Sequence, residues 1–192
     1  MRPSVVRRPA AASFLAALAA LAGLTACGGR PAAAPAPVET APNGAVFNAA
    51  DAAFARDLLR QRAEEFALID LTVGRRLDPE LTAFLDRARE ARAAEVDTTT
   101  TWLTDWGKDV PSTVRDHAAG HAGVHAFPEV EKASDADFQE RWIATFLDEL
   151  RDSGRIAAAE ATHGANADAR DLAASVRDTN EEESHALEEL LA

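Results

Sequence analysis

The chain has 192 residues, of which 32 are acidic and 20 are basic, for a formal net charge of −12 at pH 7. An acidic chain of this kind is not expected to bind nucleic acid, because phosphates need Lys and Arg partners. One Cys and one Met are present, and the Met is the initiator, so the chain can form no internal disulfide and offers few sulfur ligands.

The N-terminal segment has the features of an export signal. Three arginines precede an apolar run over residues 10–24, which is too short to span a bilayer comfortably. The run ends in Leu24-Thr25-Ala26-Cys27, which resembles the bacterial lipobox, where the Cys thiol takes a diacylglycerol. We therefore predict a lipoprotein signal peptide at residues 1–27 and lipidation at Cys27. The mature protein is then exported and lipid-anchored to the bacterial cell membrane, with its domain extracytoplasmic and the export pathway left open.

Removal of residues 1–26 takes away three Arg and no acids, so 17 basic and 32 acidic residues leave a mature charge of −15. Residues 28–46 are rich in Pro and Ala and show no apolar periodicity. This composition predicts a flexible tether between the anchor and the domain, and plain disorder without a role is equally compatible.

Four helices are predicted from the apolar periodicity of the remaining chain, over residues 48–74, 78–106, 134–163 and 166 to the C-terminus. Asn48, Ser134 and the Asp78-Pro79 pair supply signals for helix starts. Signals for β-strands are absent, since Val and Ile are sparse and Tyr is missing. The sequence predicts an all-α fold in which two helical hairpins form a four-helix bundle over residues 47–192.

The two predicted hairpins match each other at a constant offset of 88 residues. Phe54 corresponds to Trp142 and Glu95 to Glu183, without a gap over two helices and their loop. Chance agreement between amphipathic helices is the competing explanation, and an ungapped register disfavours it. We define repeat one as residues 47–107, the linker as 108–133 and repeat two as 134–192.

Several short motifs in these repeats carry a family resemblance. Phe54 opens an element of the form F-x-x-x-L-L, Asp78-Pro79-Glu80 starts the second helix, and residues 102–107 read WLTDWG. With these motifs the chain resembles the bacterial domain-of-unknown-function family 305 (DUF305), which includes periplasmic copper-binding proteins. The resemblance covers residues 47–192 and implies a duplicated, ferritin-like four-helix bundle. Members of the family carry a His-His pair and Met residues in each repeat.

The family's metal ligands are missing from this chain. Gln61-Arg62 and Glu149-Leu150 stand where the resemblance implies His-His pairs, and the Met positions hold Leu58, Thr99, Phe146 and Leu187. Cu(I) favours thioether, thiolate and imidazole ligands, which these positions lack. We therefore expect no cofactor in the core.

A polar layer is predicted to occupy the middle of the bundle instead. Helical periodicity brings together seven inward-facing positions, namely Gln61, Arg62, Arg92, Glu95, Glu149, Asn180 and Glu183. Buried charges persist only when they are paired, so we expect Arg62 and Arg92 to contact Glu95, Glu149 or Glu183. A metal site built from these three Glu is the alternative, and two arginines at the same level disfavour it.

The linker holds Asp116, His117, His121 and His125. If this segment is helical, His117 and His121 lie one turn apart and could bind Cu or Zn with Asp116. Gly120 and Gly123 favour a polar connecting loop in which these residues have no specific role. The Glu-x-x-His patterns that end at His163 and His185 are predicted to be coincidental, at a helix end and facing solvent.

Motifs for catalysis are not recognisable, because the chain has no Gly-rich phosphate loop, nucleophile elbow or zinc-protease motif. We expect a non-catalytic, envelope-anchored binding or interaction module rather than an enzyme. Its contact with the membrane is expected through the lipid anchor only, and the sequence identifies no protein partner. An extracytoplasmic copper- or zinc-binding protein that uses the linker histidines is the alternative.

Overall fold

The computed structural model describes residues 37–112 and 127–192. Cys27 and the linker residues Asp116, His117, His121 and His125 lie outside the described residues. The elements are β1 (Val38–Thr40), β2 (Val46–Asn48), α1 (Ala49–Asp70), α2 (Pro79–Asp105), α3 (Pro128–Glu131), α4 (Phe138–His163) and α5 (Ala167–Glu189). The prediction of an all-α helical bundle is confirmed, and the four long helices fall within the predicted ranges.

α1 and α4 form the central pair of the bundle, with α2 packed on α1 and α5 packed on α4. α2 ends beside the start of α1, where Trp106 stacks on Phe47 with ring centroids 4.8 Å apart. α4 begins at the opposite end, where Asp78 contacts Gln139. The two helical hairpins are therefore joined by a connection between opposite ends of the bundle, and α2 and α4 run in the same direction.

We call the end with β1 and β2 the hairpin end, and the end with the α1–α2 turn the far end. The hairpin end also contains the start of α1 and the turn between α4 and α5, because Asn48 donates to the carbonyl of His163 over 2.8 Å. Among the described residues, no helix has the length and apolar character that a membrane-spanning segment requires.

The N-terminal β-hairpin corrects two predictions. Val38–Thr40 pairs antiparallel with Val46–Asn48, so the expectation of no strands was wrong, as was the assignment of residues 37–46 to a flexible tether. Gly44 adopts a φ of +87°, which allows the tight turn between two very short strands. Phe47 is buried against Trp106, and this tertiary contact holds the hairpin on the bundle.

Helices begin at two of the three predicted start signals, Asn48 and Asp78-Pro79, but not at Ser134. Asn48 accepts hydrogen bonds from the backbone N–H groups of Ala50 and Asp51, and Asp51 bonds back to the backbone of Asn48. Asn166 caps α5 in the same way through the N–H of Ala169. Pro79 starts α2, where Asp78 provides no side-chain cap. α4 begins at Phe138, four residues after the predicted capping residue, because Ser134 and Asp137 close a separate turn before it.

The predicted duplication reappears in the contacts. At the far end the N–H of Asp78 donates to Gln139 over 3.0 Å, and at the hairpin end the N–H of Asn166 donates to Asp51 over 2.9 Å. At the offset of 88, Asp78 corresponds to Asn166 and Asp51 corresponds to Gln139. The second contact is therefore the first one repeated, with donor and acceptor taken from the opposite repeats. The bundle therefore has an internal two-fold relation between its hairpins.

The apolar core consists of two clusters. One lies toward the far end and includes the aromatic rings of Phe84, Trp142 and Phe146, and the other lies toward the hairpin end around Phe54 and Leu58. The positions 58, 99, 146 and 187, where the resemblance implies Met, are all buried. The polar layer lies in the middle of the bundle.

Candidate functional site

Arg62 lies on α1 with only 1% of its surface exposed. Its guanidinium donates to Glu95 on α2 through Nε and to Glu65 on α1 through Nη1. Glu65 is three residues further along the same helix, so the second pair lies on one helical face. Arg62 thus ties α1 to α2 from inside the bundle.

Arg92 joins three helices. Its Nε donates to Glu65 on α1 over 2.7 Å, while Nη1 and Nη2 donate to the two oxygens of Glu183 on α5 over 2.7 and 2.5 Å. The contact with Glu183 is bidentate, the geometry in which an Arg–carboxylate pair is strongest. Burial lowers the pKa of Arg92, but the charges of Glu65 and Glu183 outweigh it and the net pKa is raised. The guanidinium is therefore firmly charged.

Glu65 is the central carboxylate of the layer, and sequence reasoning missed it. It is fully buried and accepts from both arginines, one at each oxygen. The signal that could have identified it is its position one turn after Arg62 on the inward face of α1. The ligand positions that the resemblance implies on this helix are 58, 61 and 62, and Glu65 corresponds to none of them.

Of the three Glu predicted as possible arginine partners, Glu95 and Glu183 pair with Arg62 and Arg92, whereas Glu149 pairs with Gln61. Gln61 donates to its carboxylate over 2.7 Å and to its backbone carbonyl over 3.1 Å. These two residues correspond at the offset of 88, so the pair joins α1 and α4 across the two-fold relation. Burial raises the pKa of Glu149 to about 7, against the hydrogen bond from Gln61, and the charges of Glu64, Glu65 and Asp148 raise it further.

Asn180 forms its own contact at the equivalent place in repeat two. Its amide donates to Ser153 over 2.7 Å and to the carbonyl of Leu150 over 2.9 Å. Asn180 corresponds to Arg92, and Ser153 to Glu65, so a neutral pair in repeat two occupies the position of an ion pair in repeat one. The structure brings all seven predicted residues into the polar contacts of one layer and adds Glu65 and Ser153.

The three carboxylates of the alternative metal site each pair with a different side chain. Glu95 pairs with Arg62, Glu183 pairs with Arg92, and Glu149 pairs with Gln61. Within residues 37–112 and 127–192, no group of three or more His, Cys, Asp or Glu is arranged to hold a metal ion. The copper ligands that the resemblance implies do not fit either. The Met positions offer hydrocarbon or the Thr99 hydroxyl, which donates to the carbonyl of Glu95. At the His positions, Gln61, Arg62 and Glu149 already form hydrogen bonds with other side chains.

Glu95 and Glu183 are the two acids at the edge of the polar layer. Both side chains are 13% exposed, at the rim of the layer, while the two arginines are enclosed. Burial raises the pKa of Glu183, and the hydrogen bond and charge of Arg92 oppose that rise. The arrangement provides paired charges that connect helices.

Comparison with known families gives one match. The family model described as "Domain of unknown function (DUF305)" matches residues 51–191. No curated protein and no solved structure match the chain. The matched range covers both helical hairpins and every residue of the polar layer.

Proposed function

The chain belongs to the DUF305 family, and from that premise we propose that it is a lipid-anchored, extracytoplasmic protein with a non-catalytic bundle that acts as a binding or interaction module. In this proposal an arginine–glutamate network replaces the metal ligands of the family's core. The helical scaffold is kept, and the core metal chemistry is not.

The observation that carries the proposal is the continuous set of ion pairs from Glu95 through Arg62, Glu65 and Arg92 to Glu183. Two cations at this level repel a metal ion. They also occupy the carboxylates that would otherwise bind one. The polar layer therefore supports a structural role, in which paired charges fix how α1, α2 and α5 pack.

Chelation tests this role. We expect the unfolding temperature of the purified protein to be the same with a metal chelator and with added Cu²⁺ or Zn²⁺, because its core pairs contain no metal. A loss of stability on chelation that added metal restores would refute the structural role if it persisted in protein with His117, His121 and His125 replaced by Ala, which removes the linker site.

The lipid anchor is tested separately. We expect Cys27→Ser to abolish lipid modification and release the protein from the membrane fraction, as measured by mass spectrometry and fractionation. Ser13→Ala, a change within the same signal segment, is the matched control and should leave lipidation intact. Membrane attachment of the Cys27→Ser protein would contradict the proposed anchor.

Metal binding at the linker is the second candidate, and it rests on the spacing of His117 and His121 with Asp116 nearby. Calorimetric titration with Cu²⁺ or Zn²⁺ distinguishes the two candidates. Micromolar affinity that disappears in the variant with His117→Ala and His121→Ala would favour the linker site, with His125→Ala as the single-site comparison.

A further inference from the structure

Glu160 is a buried acid without a hydrogen-bond donor. It lies in the last turn of α4, with 1% of its surface exposed, and among the described residues no group donates to either of its carboxyl oxygens. A buried carboxylate in that position would lack the compensation that buried charges require. This residue belongs to the hairpin end and takes no part in the arginine–glutamate network.

Asp51 faces Glu160 from α1 and has the opposite environment. It is fully buried and accepts hydrogen bonds from the backbone N–H groups of Asn48 at 2.5 Å, Ala165 at 3.0 Å and Asn166 at 2.9 Å. The oxygens of Asp51 therefore have hydrogen-bond donors, which among the described residues those of Glu160 lack. The contact also holds the start of α1 against the turn between α4 and α5.

The charged groups near Glu160 are Asp51 on α1, Arg170 on α5 and, at the rim of the shallow pocket beside it, Asp57 on α1 and His163 on α4. Burial raises the pKa of Glu160 to about 8, the hydrogen bond and charge of Asp51 add to the rise, and Arg170 opposes it.

Gly164 leaves space for the carboxyl group of Glu160 at the start of the α4–α5 turn. A Cβ atom at Gly164 would lie 2.0 Å from Oε1 of Glu160, so any larger residue would push the carboxyl group away. Gly164 therefore leaves room for the Glu160 carboxyl group beside the α4–α5 turn, where the backbone N–H groups of Ala165 and Asn166 hold Asp51.

We propose that Glu160 carries a proton in the folded protein and shares it with Asp51, and that release of this proton loosens the hairpin end of the bundle. The Glu160 hydroxyl donates to the Asp51 carboxylate, whose oxygens also accept from three backbone N–H groups. When this proton is lost to solvent, the buried carboxylates of Glu160 and Asp51 repel each other. The contact between α1 and the α4–α5 turn then weakens.

The far end provides a natural comparison within the same chain. There Gln139 corresponds to Asp51, and it donates to the carboxylate of Asp78 over 2.6 Å while accepting from the backbone N–H of Asp78. Position 72, which corresponds to Glu160, holds a Thr whose hydroxyl donates to the carbonyl of Ile69. An amide–carboxylate pair has no shared proton, so the equivalent contact at the far end is not expected to change between about pH 5 and pH 8.

Hydrogen exchange of the purified protein tests the proposal at both ends. The amides of Ala165 and Asn166 donate to Asp51, and we expect their protection factors to fall by about tenfold or more between about pH 5 and pH 8. The fall should level off above about pH 8, where the folded state has lost the proton as well. The amide of Asp78 at the far end should keep its protection over the same range.

Glu160→Gln keeps a hydrogen-bond donor and cannot ionise, so in this variant the protection of Ala165 and Asn166 should change by less than about twofold over that range. Glu181→Gln, a change at an exposed position of α5, is the matched control and should behave as the unmodified protein. Equal pH dependence in Glu160→Gln and the unmodified protein would overturn the proposal. A carboxyl ¹³C titration of the unmodified protein, with Glu160 titrating at the ordinary pKa of an exposed Glu, would overturn it independently of any variant.

Discussion

Arg92 is the residue on which the packing of the middle layer most depends, because one side chain on α2 contacts Glu65 on α1 and Glu183 on α5. Breaking a buried pair by removing one partner costs more than the pair itself contributes, because the other partner is left buried without compensation. Surface ion pairs behave differently, since both partners return to water.

Replacing Arg92 therefore has a definite expected cost. Arg92→Met should lower the free energy of unfolding by about 3–5 kcal/mol, because Glu183 loses its ion pair with Arg92 and Glu65 keeps one of its two. Arg60→Met removes an exposed pair with Asp57 and should cost no more than about 1 kcal/mol. Chemical denaturation measures both, and equal losses would contradict the role of Arg92.

Gln61 is expected to control the titration of Glu149. Gln61→Leu removes the hydrogen bond that favours the ionised carboxylate, so the pKa of Glu149 should rise above about 7. Carboxyl ¹³C titration measures the change, and the signal of the exposed Asp148 in the same spectrum is the control. An unchanged or lowered pKa of Glu149 would show that Gln61 does not stabilise the charged form.

Single residues were predictable where helical periodicity determined which side they face. The arginines and Glu95, Glu149 and Glu183 were assigned to one layer from sequence because each lies on an inward face. The choice of partner was not predictable, because side-chain reach and rotamer decide whether Glu149 contacts an arginine or Gln61. Glu65 was missed since it corresponds to no family ligand, although it shares a helical face with Arg62.

At the scale of elements, the start of α1 connects local and tertiary structure. Asn48 caps α1 through its side-chain oxygen, while its amide donates to the carbonyl of His163 at the end of α4. The first contact stabilises the helix locally. The second holds it to the other repeat.

Two substitutions at this cap separate those contributions. Asn48→Ala should lower the free energy of unfolding by about 2 kcal/mol, at the upper end of the range for a lost cap, because the contact with His163 is lost as well. Asn48→Ser keeps the capping oxygen and loses the amide, so its cost should be about half as large. If the two variants were equally destabilised, the cap itself would contribute nothing.

The helices were predictable as elements and the β-hairpin was not. Long apolar periodicity and capping residues mark a helix without reference to the rest of the fold. β1 and β2 have three residues each, which is too short for an alternating pattern to emerge. Their pairing depends on the turn at Gly44 and on the stacking of Phe47 against Trp106, a residue 59 positions away in sequence.

At the scale of the whole molecule, the buried acids determine how stability depends on pH. The folded-state pKa values of Glu149 and Glu160 are raised to about 7 and about 8, above the ordinary value of Glu in an unfolded chain. The folded state therefore binds these protons more tightly. The stabilisation is complete below the unfolded pKa and is lost as pH rises through the folded pKa.

We expect the free energy of unfolding to fall by about 2 to 4 kcal/mol between about pH 4.5 and pH 8 from these two groups, with the contribution of Glu149 reduced by its partial exposure. The variant with Glu149→Gln and Glu160→Gln should lose most of this dependence, and Glu181→Gln should keep it. Urea denaturation at several pH values measures the effect. The prediction would be wrong if the free energy of unfolding of the unmodified protein rose over this pH range while that of the double variant fell.

The architecture of the molecule follows from its repeat. The offset of 88 residues predicted two equivalent hairpins, and the contacts of Asp78 with Gln139 and of Asn166 with Asp51 place them in a two-fold relation. The repeat does not determine the positions at which the two halves differ. The ion pair of Arg92 with Glu65 and the neutral pair of Asn180 with Ser153 occupy equivalent places with different chemistry.

We propose that paired side chains, and not a metal ion, hold the middle of this bundle. Calorimetric titration of Cu⁺ and Zn²⁺ into protein in which His117, His121 and His125 are replaced by Ala tests this proposal, because the core alone is then measured. We predict no heat above that of dilution and no change in the unfolding temperature. Stoichiometric binding that disappears on Glu95→Gln or Glu183→Gln would contradict the claim, because it would show that these carboxylates bind a metal rather than Arg62 and Arg92.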